Sequence, residues 1–206
     1  MRGAFIVFEG GDRCGKTTQC KRIVEYLKST GIACEYMNFP DRSLTTGKII
    51  NDYLLKKTEL PDRAVHLLFS ANRWELEPKI RSLINRGTSL IVDRYSYSGV
   101  AFTSAKEGMD LEWCKLAEIG LPRPDLVCLF KSRVDVVSQR NGWGEERYEK
   151  TDFQKKVCEN FQLLKDPSYW QEIDAVGSIE EVTENLKPLI LETLEKAKSR
   201  KLENLW

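Results

Sequence analysis

Apolar positions along the chain fall into short continuous runs, separated by longer stretches in which they recur every three or four residues. The runs are "AFIVFE" (4–9), "TSLIVD" (88–93) and "DLVCLF" (125–130), joined by the alternating "IACEYMNF" (32–39) and a weaker fifth, "YWQEIDA" (169–175). They are rich in β-forming residues and too short for buried helices, so they predict strands. The stretches between them predict helices over 15–29, 45–57, 61–86, 110–118, 133–140, 152–165 and 178–199. In the first of these, Ile23, Val24 and Leu27 share one face and Gly31 is the stop. Pro61 suits the first turn of the long helix, and Pro78 predicts a kink or a restart. Near-continuous apolar strands alternating with helices define an α/β fold, a parallel sheet covered on both faces. The segment "QRNGWGEERYEK" (139–150) is charged and punctuated by glycine, and predicts a mobile loop.

Composition narrows the class. With 206 residues and 41% hydrophobic content, the chain supports one domain with a sizeable core, or a core with a small mobile appendage. Lys+Arg (32) and Asp+Glu (31) nearly cancel, which argues against nucleic acid or an anionic membrane surface as the main partner, but not against a local positive pocket. The apolar run at the start is too short for a signal peptide and ends at Glu9, and no later stretch approaches a membrane span. Six cysteines without a C-x-x-C pair, and His66 as the only histidine, disfavour a structural zinc site. The expectation is a soluble cytoplasmic protein with buried free thiols, with a disulfide framework as the weaker alternative.

The chemistry is concentrated at "FEGGDRCGKTT" (8–18). Gly10-x-x-x-x-Gly15-Lys16-Thr17 has the spacing of a phosphate-binding P-loop, and it follows one predicted strand and opens a helix. Its glycines let backbone N–H groups approach phosphate, and the helix N-terminus adds partial positive charge. Lys16 is expected to reach the outer phosphates, and the Thr17 hydroxyl to ligate Mg²⁺. In "SLIVDRY", Asp93 ends a strand, where a carboxylate beside a P-loop holds Mg²⁺, often through water. Arg94 after it can bind phosphate.

No N-K-x-D is present to read guanine, which disfavours a GTPase switch. A small P-loop chain with extra arginines (Arg13, Arg42, Arg73, Arg94, Arg140 and Arg147) points to a second phosphorylated substrate, and so to a small-molecule kinase. The pieces "FEGGDRCGKTTQ", "NFPDRS", "TGK", "HLLFSANRWE", "VDRYSYSGVAFTSAKE", "WCK", "GLPRPDLV", "NGWGEERYE" and "LENLW" run nearly end to end. Together they resemble the thymidylate kinase family, of eukaryotic type. "HLLFSANRWE" with "DRYxxSGVA" is far more specific than the P-loop alone.

The resemblance implies transfer of the γ-phosphoryl of ATP to dTMP, giving dTDP and ADP, with Mg²⁺. It also implies a five-stranded parallel sheet, one P-loop kinase domain over 1–206 with a mobile lid at about 131–154, and a homodimer. ATP would lie on Arg13, Cys14, Gly15, Lys16, Thr17 and Thr18, on Arg140 at the start of the lid, and by Val176, Gly177 and Ser178 near the adenine. Where the family often has a lysine this chain has Gly177, which leaves the backbone of 176–178 to meet adenine. For dTMP, Phe69 would stack on thymine. Arg73, four residues later on the same helix face, would donate to its carbonyl. Phe39 precedes Pro40 in a dipeptide open to the cis form, after which Arg42 projects toward the acceptor phosphate. Ser98 and Gly99 let the backbone pass close to the nucleotide, and Phe102 would sit near C2′. Gly142 and Gly144 are the permissive hinges of the lid. Arg147 and Tyr148 would close over the nucleotides.

Asp12 and Arg13 sit together at the centre of the loop. Arg13 would act as an arginine finger in cis, its planar fork reaching donor and acceptor phosphates. A carboxylate facing phosphates would be repelled, so Asp12 is expected to meet the 3′-hydroxyl of the deoxyribose. An arginine in the P-loop with a glycine-rich lid is the eukaryotic arrangement. The rival readings are another P-loop nucleoside or nucleoside monophosphate kinase, and an ATP-binding module that only senses nucleotide.

Overall fold

The computed structural model describes residues 1–131 and 144–206. Five parallel strands form one sheet in the order β2-β3-β1-β4-β5: β1 Phe5–Gly10, β2 Cys34–Asn38, β3 Ser89–Asp93, β4 Leu126–Phe130 and β5 Trp170–Ile173. All five fall where the apolar runs predict them. The described helices are α1 Lys16–Ser29, α2 Thr45–Leu54, α3 Asp62–Asn85, α4 Ser96–Ser104, α5 Leu111–Leu116, α6 Thr151–Leu164 and α7 Ile179–Ala197. The helix expected over 133–140 lies outside the described residues.

Two apolar layers cover the sheet. On one side Ile23, Val24 and Leu27 of α1 and Leu186, Ile190 and Leu194 of α7 pack on Ile6, Phe8 and Ile91. On the other, Ile80 and Ile84 of α3, Val100 of α4 and Val157 and Phe161 of α6 pack on Phe5, Val7 and Val92. Gly31 takes φ 79° just past α1, the left-handed conformation that ends a helix.

Three expectations are corrected. Helix α3 continues through Pro78 without a restart, although the proline ring removes one intrahelical N–H donor. Pro61 caps α3 from outside rather than lying in its first turn. Helix α4 has no counterpart in the pattern. Its sequence, "SYSGVAFTS", has almost no amphipathic period because Ser96 to Ala101 are all buried. Helix α4 starts over Glu9, a buried carboxylate on β1 that accepts the N–H groups of Tyr95 (2.8 Å) and Ser98 (3.1 Å). Tertiary capping by another strand is invisible to local propensity.

Register brings the chemistry to one edge. Phe8 of β1 and Asn38 of β2 both pair with Asp93, the last residue of β3. The loops after β1, β2 and β3 therefore leave the sheet side by side. Open parallel sheets bind ligands in the crevice beyond such strand ends.

Candidate functional site: a nucleotide cleft at the strand ends

A cleft of about 770 Å³ opens there. It is lined by Asp12 to Thr18 of the P-loop, by Phe39 and Arg42 after β2, by Phe69 and Arg73 of α3, by Asp93 and Arg94 after β3, by Ser98, Gly99 and Phe102 of α4, and by Tyr148. Most of the residues expected from the sequence thus share one cavity. Tyr36, Asn38, Lys21 and Glu146 line it too and had no signal in the sequence.

The P-loop folds as its spacing predicts. Gly10 takes φ 138°, and a Cβ there would lie 2.6 Å from the Phe130 carbonyl oxygen. Gly15 takes φ 93° and directly precedes α1. Lys16 is buried, its Nζ donating to the Gly11 carbonyl (2.5 Å) and to Cys14 Sγ (3.3 Å). The Thr17 hydroxyl donates to Asp93 Oδ2. A hydroxyl and a strand-end carboxylate side by side are hard oxygen donors that suit Mg²⁺, which takes few protein ligands and completes its shell with phosphates and water. Among the described residues no group of three or more His, Cys, Asp and Glu is arranged to hold a metal.

The two central residues of the loop are tied to the rest of the site. Asp12 accepts from Arg94 Nη2 through Oδ1 (2.5 Å) and from Gln154 Nε2 of α6 through Oδ2 (2.5 Å). Arg13 takes φ 58°, and its Nε donates to Glu149 (2.6 Å). The Glu149 hydrogen bond holds the guanidinium above its ordinary pKa. Burial pushes the Glu149 carboxyl up, but donation from Arg13 and the N–H groups of Glu146 and Gly144 outweighs it, and the group lies below the usual range. Neither Gln154 nor Glu149 stood out in the sequence, because each lies more than a hundred residues from its partner.

Arg94 also takes a left-handed conformation, φ 66°. Its Nη1 donates to the Gly10 carbonyl (3.0 Å) and to Ser98 Oγ (3.1 Å), and its guanidinium carbon lies 5.1 Å from the centre of the Phe102 ring. Burial pulls Arg94 down, and the carboxylates of Asp12, Asp93 and Glu9 more than offset that, raising it overall. Beneath it, burial pushes the Glu9 carboxyl up against the opposing pull of Ser98 and Arg94.

The peptide bond between Phe39 and Pro40 is cis. Arg42 beyond it donates to Asn51 (2.9 Å) and to Glu146 (2.8 Å). Arg73 is buried and forks onto Glu118. Tyr148 stacks on Phe153 at 5.2 Å between ring centres and lies 5.6 Å from Phe102.

Several expected residues lie elsewhere. Arg147 turns away from the cleft, with its guanidinium on Glu59 (2.7 and 3.0 Å) and 4.1 Å from the Tyr53 ring centre. Gly144 takes φ 93°, and its carbonyl accepts from Lys56. Val176, Gly177 and Ser178 precede α7 outside the cleft lining, with Ser178 and Glu181 forming a capping box. Arg140 and Gly142 lie outside the described residues. All six cysteines are free, and burial pushes the Cys34 thiol up to about 12. Among the described residues no helix is long and apolar enough to cross a membrane.

A parallel α/β sheet whose P-loop shares a cleft with an aromatic ring and several arginines defines a P-loop phosphotransferase. The family model described as thymidylate kinase matches residues 8–186. The chain belongs to the thymidylate kinase family and is a nucleoside monophosphate kinase. It is 47% identical to thymidylate kinase of Danio rerio over 207 aligned residues, covering 100% of this chain and 98% of that one. Identity to the Homo sapiens thymidylate kinase is 45%, with the same coverage. A solved structure of thymidylate kinase from Candida albicans superposes with a TM-score of 0.87 at 36% identity, covering 100% of this chain and 99% of the other.

Proposed function

We propose that the protein transfers the γ-phosphoryl of ATP to the 5′-phosphate of dTMP, giving dTDP and ADP. The observation that carries this reading is the single cleft that joins the P-loop to Phe69 and Arg73. An acceptor phosphate oxygen attacks the γ-phosphorus while the bond to the β–γ bridging oxygen breaks, and ADP leaves. Such reactions depend on positioning and electrostatic stabilisation more than on covalent help from the protein. Lys16 and the loop N–H groups hold the donor. Arg94 and Arg42 orient the acceptor phosphate, Phe69 stacks on the base, and Arg13 bridges the two phosphates. Thr17 and Asp93 would hold Mg²⁺, which when bound neutralises charge on the phosphates. A coupled ADP-release assay with dTMP, dUMP, UMP, CMP and thymidine tests the reading. Release dependent on dTMP supports it. Release with thymidine or CMP in preference, or release without any acceptor, replaces it with the nucleoside kinase, cytidylate kinase or ATPase alternative.

Asp12 is proposed to accept the 3′-hydroxyl as well as Arg94 and Gln154, since each carboxylate oxygen has a second lone pair. Asp12→Asn should weaken handling of dTMP by roughly 1.5–3 kcal/mol, the value of a hydrogen bond to a charged group. A 3′-deoxy analogue should lose much less. Wild type and Asp12→Asn, each assayed on both substrates, form the cycle. Equal losses would leave Asp12 with only the task of joining Arg94 to α6.

A homodimer in the cytoplasm completes the reading. Leu67 and Trp74 of α3, Leu116 at the end of α5 and Ile119 three residues beyond it are exposed, and Trp74 Nε1 donates to the Ala117 carbonyl between the latter two. This apolar face supports pairing with a second copy, and the six free thiols support a reducing compartment.

A further inference from the structure

Arg73 is the most buried arginine in the cleft, with a side-chain exposure of 2%, and Glu118 facing it has 0%. The two form a fork: Nε donates to Glu118 Oε2 at 2.7 Å and Nη2 to Oε1. Burying both charges costs more hydration than a well-packed apolar pair would, so a bridge of this kind is weak evidence for stability. What the pair does supply is orientation. The bidentate contact fixes the guanidinium in its plane, where a single bond would let it swing.

The surroundings hold the fork from the other sides. Ser70 and Trp74, three residues before and one after Arg73, both donate to the Ala117 carbonyl, at 2.8 and 2.9 Å. Residue 118 is thereby pinned to the face of α3 that carries Arg73. Gly99 of α4 packs closely on the guanidinium too. A Cβ there would stand 2.5 Å from Arg73 Nη2 and 3.1 Å from Cζ, so the guanidinium lies directly against the Gly99 backbone as well as on Glu118. Among the described residues Nη1 makes no hydrogen bond to protein, while Arg73 lines the cleft beside Phe69.

We infer that Glu118 is a specificity-determining positioning residue: it presents one N–H edge of Arg73 to the base and so selects 4-keto pyrimidine nucleotides over 4-amino ones. This rests on the reading of the cleft as the acceptor site. Arginine donates and never accepts. Held still, it welcomes the 4-carbonyl of thymine or uracil and opposes the 4-amino group of cytosine. Freed from Glu118, it can swing aside and the opposition weakens. Glu118 does not touch substrate.

The test is steady-state kinetics of Glu118→Gln with dTMP and dCMP, with thermal unfolding followed alongside. The Gln amide keeps the size but turns an N–H₂ toward a guanidinium nitrogen. The expected result is KM for dTMP raised about tenfold with kcat little changed, the mark of lost uniform binding. The ratio of kcat/KM for dTMP over dCMP should fall about tenfold as well. Glu118→Asp, which keeps the charge on a shorter stem, should recover part of both losses and serves if the Gln variant fails to fold. A lowered Tm with KM and the dTMP/dCMP ratio of wild type would overturn the inference and leave Glu118 a fold residue. Absence of dTMP phosphorylation by the wild type would instead overturn the reading on which it stands.

Discussion

Lys16→Ala should lower kcat by about 100- to 1,000-fold, close to 2.7–4 kcal/mol of barrier, by comparison with loss of one oxyanion donor. The ammonium lines the cleft, buried, with its Nζ on the Gly11 carbonyl, 2.5 Å away, and on Cys14. Both are parts of the same loop, so the side chain joins no distant elements. Its removal should leave the sheet and helices in place. What is lost is one positive charge placed to meet charge developing on the transferring phosphoryl group. Rapid-quench turnover with ATP and dTMP, beside circular dichroism, separates the two effects. Near-normal turnover in a folded variant would remove the phosphate-holding role from this loop.

Arg13→Ala should cost on the order of 10³-fold in turnover, the lower range for loss of an arginine that stabilises phosphoryl transfer. Arg13→Lys should be nearly as slow. The Arg13 Nε already donates to Glu149 at 2.6 Å, so the guanidinium joins the P-loop to the segment before α6. Lysine carries one nitrogen at the tip and cannot hold Glu149 while reaching phosphate. Binding of dTMP alone, followed by calorimetry, should change far less than kcat. If lysine restores most of the rate, charge alone suffices and the fork is not required.

The strands were legible because a buried parallel sheet demands apolar runs, and the P-loop because its glycines answer a backbone requirement. Helix α4 was not, since a segment buried on every side has no period to read. The same limit applies within the site. Lys16, Thr17 and Asp93 could be found from spacing beside a strand. Glu149, Gln154 and Glu118 earn their places only through partners far along the chain, and each looks like an ordinary surface residue in its own helix or loop. Glu9 gave a faint signal as a charge at the end of an apolar strand. Arg147 shows the reverse: it matched a motif, yet its guanidinium lies against Glu59 and Tyr53.

Besides Arg73 with Glu118, three arginines of the cleft have carboxylates of this chain as neighbours: Arg13 has Glu149, Arg42 has Glu146 and Arg94 has Asp12. These acids behave as resident counter-ions. An incoming phosphate meets guanidinium groups whose charge is already partly offset, so none of the three waits as a bare, unsolvated cation. Glu146 and Glu149 lie one turn apart on the same short stretch, one serving Arg42 on the acceptor side and the other Arg13 on the donor side. One short stretch of chain is thereby wired to both halves of the cleft.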